Sequence, residues 1–76
     1  VPDMKKQPIV NGRRIAELRC AAGLSQCELA EIVGVAVGTI GNVERGRYVP
    51  SLAVLVALAA TLEVSLDSLV GREVVA

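Results

Sequence analysis

The stretch from Leu24 to Gly46, LSQCELAEIVGVAVGTIGNVERG, restricts the fold more than any other part of this chain. Ser25 is an N-cap residue type, and Glu28 three positions later completes a capping-box pattern ahead of Leu29, Ile32 and Val33. Ala30 is small where a second helix has to cross closely. Gly34 follows the last apolar position, where a residue in the left-handed conformation ends a helix at little cost. A second periodic stretch sets Ile40 and Val43 on one face and stops at Arg45-Gly46. The spacing predicts two short helices, over 26–33 and 37–45, joined by a turn of about four residues.

The flanking sequence is helical in pattern too, with no period-2 alternation. A first helix is expected over 11–22, with Ile15, Leu18, Arg19 and Ala22 on one stripe and Gly23 as its stop. Pro50 biases Val49 away from helix, and Ser51 then caps a fourth helix whose Leu52, Leu55, Leu58, Ala59 and Leu62 recur at three and four. Ser65 is expected to cap a short fifth helix with Asp67 in its first turn and Leu66 and Leu69 inward. At 76 residues the chain reads as one all-α domain over 11–71. Residues 1–10 are expected to be a flexible N-terminal arm or an expression remnant, and 72–76 a short tail.

Arg19 and Glu44 each interrupt an otherwise apolar stripe. A buried charge is tolerated only when it is paired, so the two require a joint explanation.

Taken together, these segments resemble a Cro/cI-type helix-turn-helix domain, the lambda-repressor-like or xenobiotic-response-element family. The resemblance runs from Gly12 to about Gly71. Besides the central stretch it includes IAELR (15–19), GLSQ (23–26), ERG (44–46), PSL (50–52) and VSLDSL (64–69). It implies a five-helix lambda-repressor-like fold and a buried Arg19–Glu44 bridge tying the first helix to the end of the third. It also implies a regulator that lays its third helix in the major groove of double-stranded DNA. The matching positions make Val37, Gly38 and Asn42 the base-facing candidates. Gln26, Thr39, Arg45, Arg47 and Arg14 become the candidates for the DNA backbone.

The chemistry of those residues agrees in part. A side-chain amide at Gln26 shares a helix N-terminus with free N–H groups that suit a phosphate. Arg45 and Arg47 flank the end of the third helix, and Arg13 and Arg14 stand at the start of the first, where positive charge opposes the helix dipole. Only Asn42 can make a bidentate base contact, most naturally to adenine N6/N7, while Val37 can pack on a thymine methyl. The helix departs from the family pattern at Ala36-Val37-Gly38, where relatives usually carry Ser or Thr and then Arg, Gln or Lys. Gly41 likewise stands where Ser is common. Two glycines cost about 1 kcal/mol each in a helix, so modest direct readout with some reliance on DNA shape is expected.

The eight basic and eight acidic residues cancel, yet they are unevenly spread. Lys5, Lys6, Arg13, Arg14 and Arg19 dominate the first quarter. From Tyr48 onward Arg72 is the one base against Glu63, Asp67 and Glu73. Phosphate is therefore expected at the N-terminal half. The valines Val54, Val56, Val70, Val74 and Val75 exceed what a core of Leu52, Leu55, Leu58, Leu62, Leu66 and Leu69 can absorb. They are the expected homodimer surface. One small domain has too little surface for tight operator binding, so a homodimer on a two-fold operator, repressing by occlusion, is the leading expectation.

The competing expectation is an antirepressor-like or antitoxin-like protein-binding module that keeps the fold with weak or no DNA reading. Val37, Gly38, Gly41 and zero net charge favour it; Gln26, Asn42, Arg45 and Arg47 oppose it. No enzyme activity, cofactor, metal or small-molecule ligand is expected, since the chain has no His, no paired carboxylates in a plausible cleft and no phosphate loop. Cys20 and Cys27 lack partners for a ligand set and read as reduced thiols of a cytoplasmic protein. No apolar run reaches the ~18 residues of a membrane span, and no signal peptide is evident.

Overall fold

The computed structural model describes residues 10–70, and these form five helices in chain order: α1 (Gly12–Ala21), α2 (Gln26–Val33), α3 (Val37–Glu44), α4 (Leu52–Leu62) and α5 (Leu66–Leu69). Residues 1–9 and 71–76, including Val74 and Val75, lie outside the described residues. Local chemistry starts most of the helices. The Asn11 Oδ1 accepts from the Arg14 N–H at 3.1 Å ahead of α1, and Ser51 Oγ from the Val54 N–H at 3.3 Å ahead of α4. At α2 both arms of a capping box are made, Glu28 N–H to Ser25 Oγ at 3.0 Å and Ser25 N–H to Glu28 Oε1 at 2.8 Å. Ser65 precedes α5 without capping it; its hydroxyl lies 3.3 Å from that of Ser68 instead.

The core is drawn from every helix. Ile15, Leu29, Ile40, Val43, Leu58 and Leu69 are fully enclosed, with Ala30, Leu55, Ala59 and Leu62 around them. Each large aliphatic side chain removed from water in this way contributes about 1.5–3 kcal/mol. α2 packs on α3 and α4, α1 on α3 and α5, and α4 on α5. The two ends of the domain meet: Val10 bridges Val70 in antiparallel fashion, and the Asn11 N–H donates to the Leu69 carbonyl at 2.7 Å.

Four sequence expectations are corrected. Ala22 is the exposed C-cap of α1 rather than a core residue. Ile32 is 57% exposed, because the inward side of α2 is the arc of Leu29, Ala30 and Val33. Leu52 is 66% exposed: it stands in the first turn of α4, ahead of the part that Leu55, Leu58, Ala59 and Leu62 bury. Of the proposed dimer valines, Val54 packs against the core, and Val70 is half-buried in its bridge to Val10, so neither is free surface. Val56 does stand out, 51% exposed.

Candidate nucleic-acid interface

The turn between α2 and α3 is set by Gly34, whose φ of +87° places it in the left-handed region. In that conformation its N–H and that of Val35 both donate to the Ala30 carbonyl, at 2.8 and 3.0 Å. The chain then runs through Ala36, in extended conformation, into α3. No side chain caps α3: the Thr39 N–H donates to the Ala36 carbonyl at 2.9 Å, while those of Val37 and Gly38 keep their donor capacity at the positive end of the dipole.

α3 is held from its other end. Arg19 Nε donates to Glu44 Oε2 at 2.7 Å, and Arg19 Nη2 to Oε1 at 3.3 Å, a two-pronged pairing across α1 and α3. The side chains are 14% and 7% exposed, so the pair is sheltered but in reach of solvent at its edge. Arg19 Nη1 also donates to the Leu24 carbonyl at 2.8 Å and braces the loop into α2. The hydrogen bond to Glu44 is the main cause that raises the Arg19 pKa above its ordinary value, with burial opposing it. Gln26 Nε2 donates to Glu44 Oε1 at 2.9 Å. One carboxylate therefore ties α1, α2 and α3 together.

Gln26, a DNA-backbone candidate in the sequence, has a structural duty as well: the bond to Glu44 orients its amide and leaves one N–H of Nε2 for an outside acceptor. A second contact missed in the sequence is the crossing of α1 over the end of α3. A Cβ at Gly12 would run into the Val43 carbonyl oxygen and lie 2.7 Å from that of Glu44. The available signal was a glycine in the first turn of a helix, where almost any other residue is a better helix former.

Helical spacing puts Gly38, Asn42 and Arg45 on one outward face of α3, opposite buried Ile40 and Val43. Val37 and Gly38 are exposed in the first turn, Thr39 and Asn42 half-buried. Arg45 caps α3 and Arg47 follows, both exposed, and the Arg47 N–H donates to the Asn42 carbonyl at 2.8 Å. Arg14 is exposed on the first turn of α1 with Arg13. The only acid on α3 is Glu44, which is already engaged by Arg19 and Gln26. Cys20 and Cys27 are exposed and unbridged.

A helix-turn-helix family matches residues 15–69. The chain belongs to the helix-turn-helix family, of the Cro/cI type. It is similar to the immunity repressor of Bacillus phage phi105, 37% identical over 62 residues, which cover 82% of this chain and 43% of that protein. It is equally similar, at 37% over 62 residues, to the HTH-type transcriptional regulator YazB of Bacillus subtilis strain 168, of which it spans 90%. Among solved structures, the P22 c2 repressor in complex with a synthetic operator superposes with a TM-score of 0.72 at 34% identity. That alignment covers 74% of this chain and 85% of the repressor. The helix-turn-helix domain described here is that of a DNA-binding transcriptional regulator.

Proposed function

We infer that the protein is a cytoplasmic repressor that binds a two-fold operator as a homodimer, with α3 in the major groove. The observation that carries this is the charge arrangement on α3. Its single acid is neutralised from inside by Arg19, so the outward face presents Asn42 and bare backbone, with Arg45 and Arg47 at its end. In this reading Asn42 reads one base pair and Val37 packs on a thymine methyl. Gly38 lets the backbone approach closely. Gln26, Thr39, Arg47 and Arg14 hold phosphates, and the uncapped N–H groups of α3 assist them.

The dimer surface is redrawn from the sequence expectation. Leu52 and Val56 are one turn apart on α4, and exposed Tyr48 and Val49 precede them in the loop. Covering these four between two copies removes apolar surface from water at about 25 cal/mol per Å². A two-fold axis there has to keep both recognition helices on one side of the assembly. Their spacing has to be about 34 Å for consecutive major grooves.

Selection of bound duplexes from a random library tests the reading. The expected result is a two-fold symmetric site bound with steep salt dependence. Asn42→Ala is expected to lower discrimination at one base pair per half-site by about 1–3 kcal/mol. Sedimentation of a Leu52→Lys, Val56→Lys double variant is expected to show monomers where the parent forms dimers. Selection of asymmetric sites by a monomeric parent would rule out the two-fold reading.

A further inference from the structure

The base-facing side of α3 lacks side chains at the two positions where glycine stands, and the structure fills part of that gap from elsewhere. Gly41 is buried, although it adjoins the outward face. What a Cβ at Gly41 would meet is the guanidinium of Arg45: Nη1 at 3.4 Å, and Cζ and Nη2 at 3.9 Å. The Arg45 side chain thus runs back along the helix by a full turn, ~5.4 Å toward the N-terminus, as helical side chains tend to. It lies level with Gly41. Among the described residues no acceptor engages that guanidinium. The Arg45 backbone N–H caps α3 through the Gly41 carbonyl at 3.0 Å, which fixes the base of the side chain to the same residue.

The one-turn fold-back depends on a small residue at position 41. A Cβ alone at position 41 would sit in ordinary van der Waals contact with Nη1. Any side chain that extends further competes with the guanidinium for the same space. At Gly38, one turn earlier on the same face, nothing lies within 4 Å of a built Cβ, so the way from Arg45 to the groove floor is open. An arginine aimed at phosphate from a helix end would extend away from the helix axis. This one instead presents a planar fork along the reading face, the shape that matches guanine O6 and N7.

We propose that Arg45 is a base-reading residue, contacting a guanine in the major groove, and that Gly41 is the positioning residue that seats its guanidinium. This rests on the reading of α3 as the groove helix. It moves Arg45 from the phosphate role expected of its place at the helix end, and it accounts for a recognition helix whose own first turn has so little to read with.

The test uses the full chain and the duplex it selects from a random library, with 7-deazaguanine replacing each conserved guanine in turn. The parent is expected to lose about tenfold in affinity at one such guanine per half-site, because the substitution removes N7. Arg45→Ala is expected to lose preference at that base pair alone and to show no further loss with 7-deazaguanine. Arg45→Lys, which keeps the charge without the fork, is expected to restore affinity without restoring the preference. Gly41→Gln is expected to reproduce the loss of preference, whereas Gly41→Ala keeps it. Thermal melting of each variant separates these effects from folding. Uniform weakening by Arg45→Ala on all sequences, with base preference intact and a salt slope lower by about one, would overturn the proposal while leaving α3 as the reader. Full preference retained in a folded Gly41→Gln variant would overturn the seat. Selection of no preferred sequence by the parent would overturn the groove reading itself, and this assignment with it.

Discussion

α2 and α3 are equal in length and adjacent in sequence, yet they are held by different means. α2 is specified from within: a capping box begins it and a left-handed glycine ends it. α3 has no side-chain cap, carries Gly38 and Gly41 in its interior, and ends on an arginine. Taken alone, α3 is a poor helix, since its glycines alone cost about 2 kcal/mol against alanine. It is kept helical by Ile40 and Val43 in the core, by α1 crossing at Gly12, and by Glu44 bound to Arg19 and Gln26. The helix proposed to read DNA owes its form to its neighbours. Its outer surface is therefore free of helix-forming demands, and that freedom lets glycine stand there.

If this contrast is right, α3 should fail when its supports are touched and α2 when its own cap is. The largest effect is expected for Gly12→Ala. The added methyl meets two carbonyl oxygens of the α3 backbone, which can move only by lifting α1 off α3. A loss of about 3 kcal/mol or more in urea unfolding is expected; a change below 1 kcal/mol would show that the crossing is loose.

Arg19→Ala comes next. It leaves the Glu44 carboxylate sheltered with only Gln26 as partner, at an expected cost of about 2–3 kcal/mol, below the range for fully buried pairs because the edge is solvated. Its pH dependence has a definite sign. A raised arginine pKa gives stability that is present below the unfolded-state value and is lost only as pH rises through the folded-state value. Arg19 therefore adds no slope to stability across the neutral range, and parent and variant titrations should run parallel there. Divergence of the two curves near neutral pH would assign the titration to another group.

Ser25→Ala removes one arm of the α2 cap and is expected to cost about 1 kcal/mol by thermal melting. DNA binding at saturating stability should be unchanged, because the cap supports α2 rather than the reading face. The smallest effect carries the opposite sign. Gly38→Ala, with open space around its Cβ, is expected to stabilise by about 0.5–1 kcal/mol while weakening operator binding in a gel-shift titration. A variant both more stable and tighter would show that Gly38 is not kept for close approach.

Ser25, Glu28, Gly34 and the Ile40–Val43 pair announced the two central helices because each acts on backbone a few residues away. Such short-range physics is written in consecutive letters. The five helices and the family followed from the same kind of signal. The face of α4 was misjudged for the converse reason. Leu52 fits the three-and-four repeat as well as Leu55 does, and only the position of the neighbouring helices leaves it uncovered.

The sequence by itself determined where α1, α2 and α4 begin and where Gly34 ends α2, since caps and turns are local. It also marked Arg19 and Glu44 as charges on apolar stripes that require a joint explanation. The tertiary structure alone decided that Gln26 joins that pair, that Gly12 is the point of closest approach, and that Val70 bonds back to Val10 instead of facing solvent. It alone folded the Arg45 guanidinium over Gly41. Each of these depends on the distance between atoms brought together by packing or by a rotamer choice, and no spacing along the chain encodes such a distance.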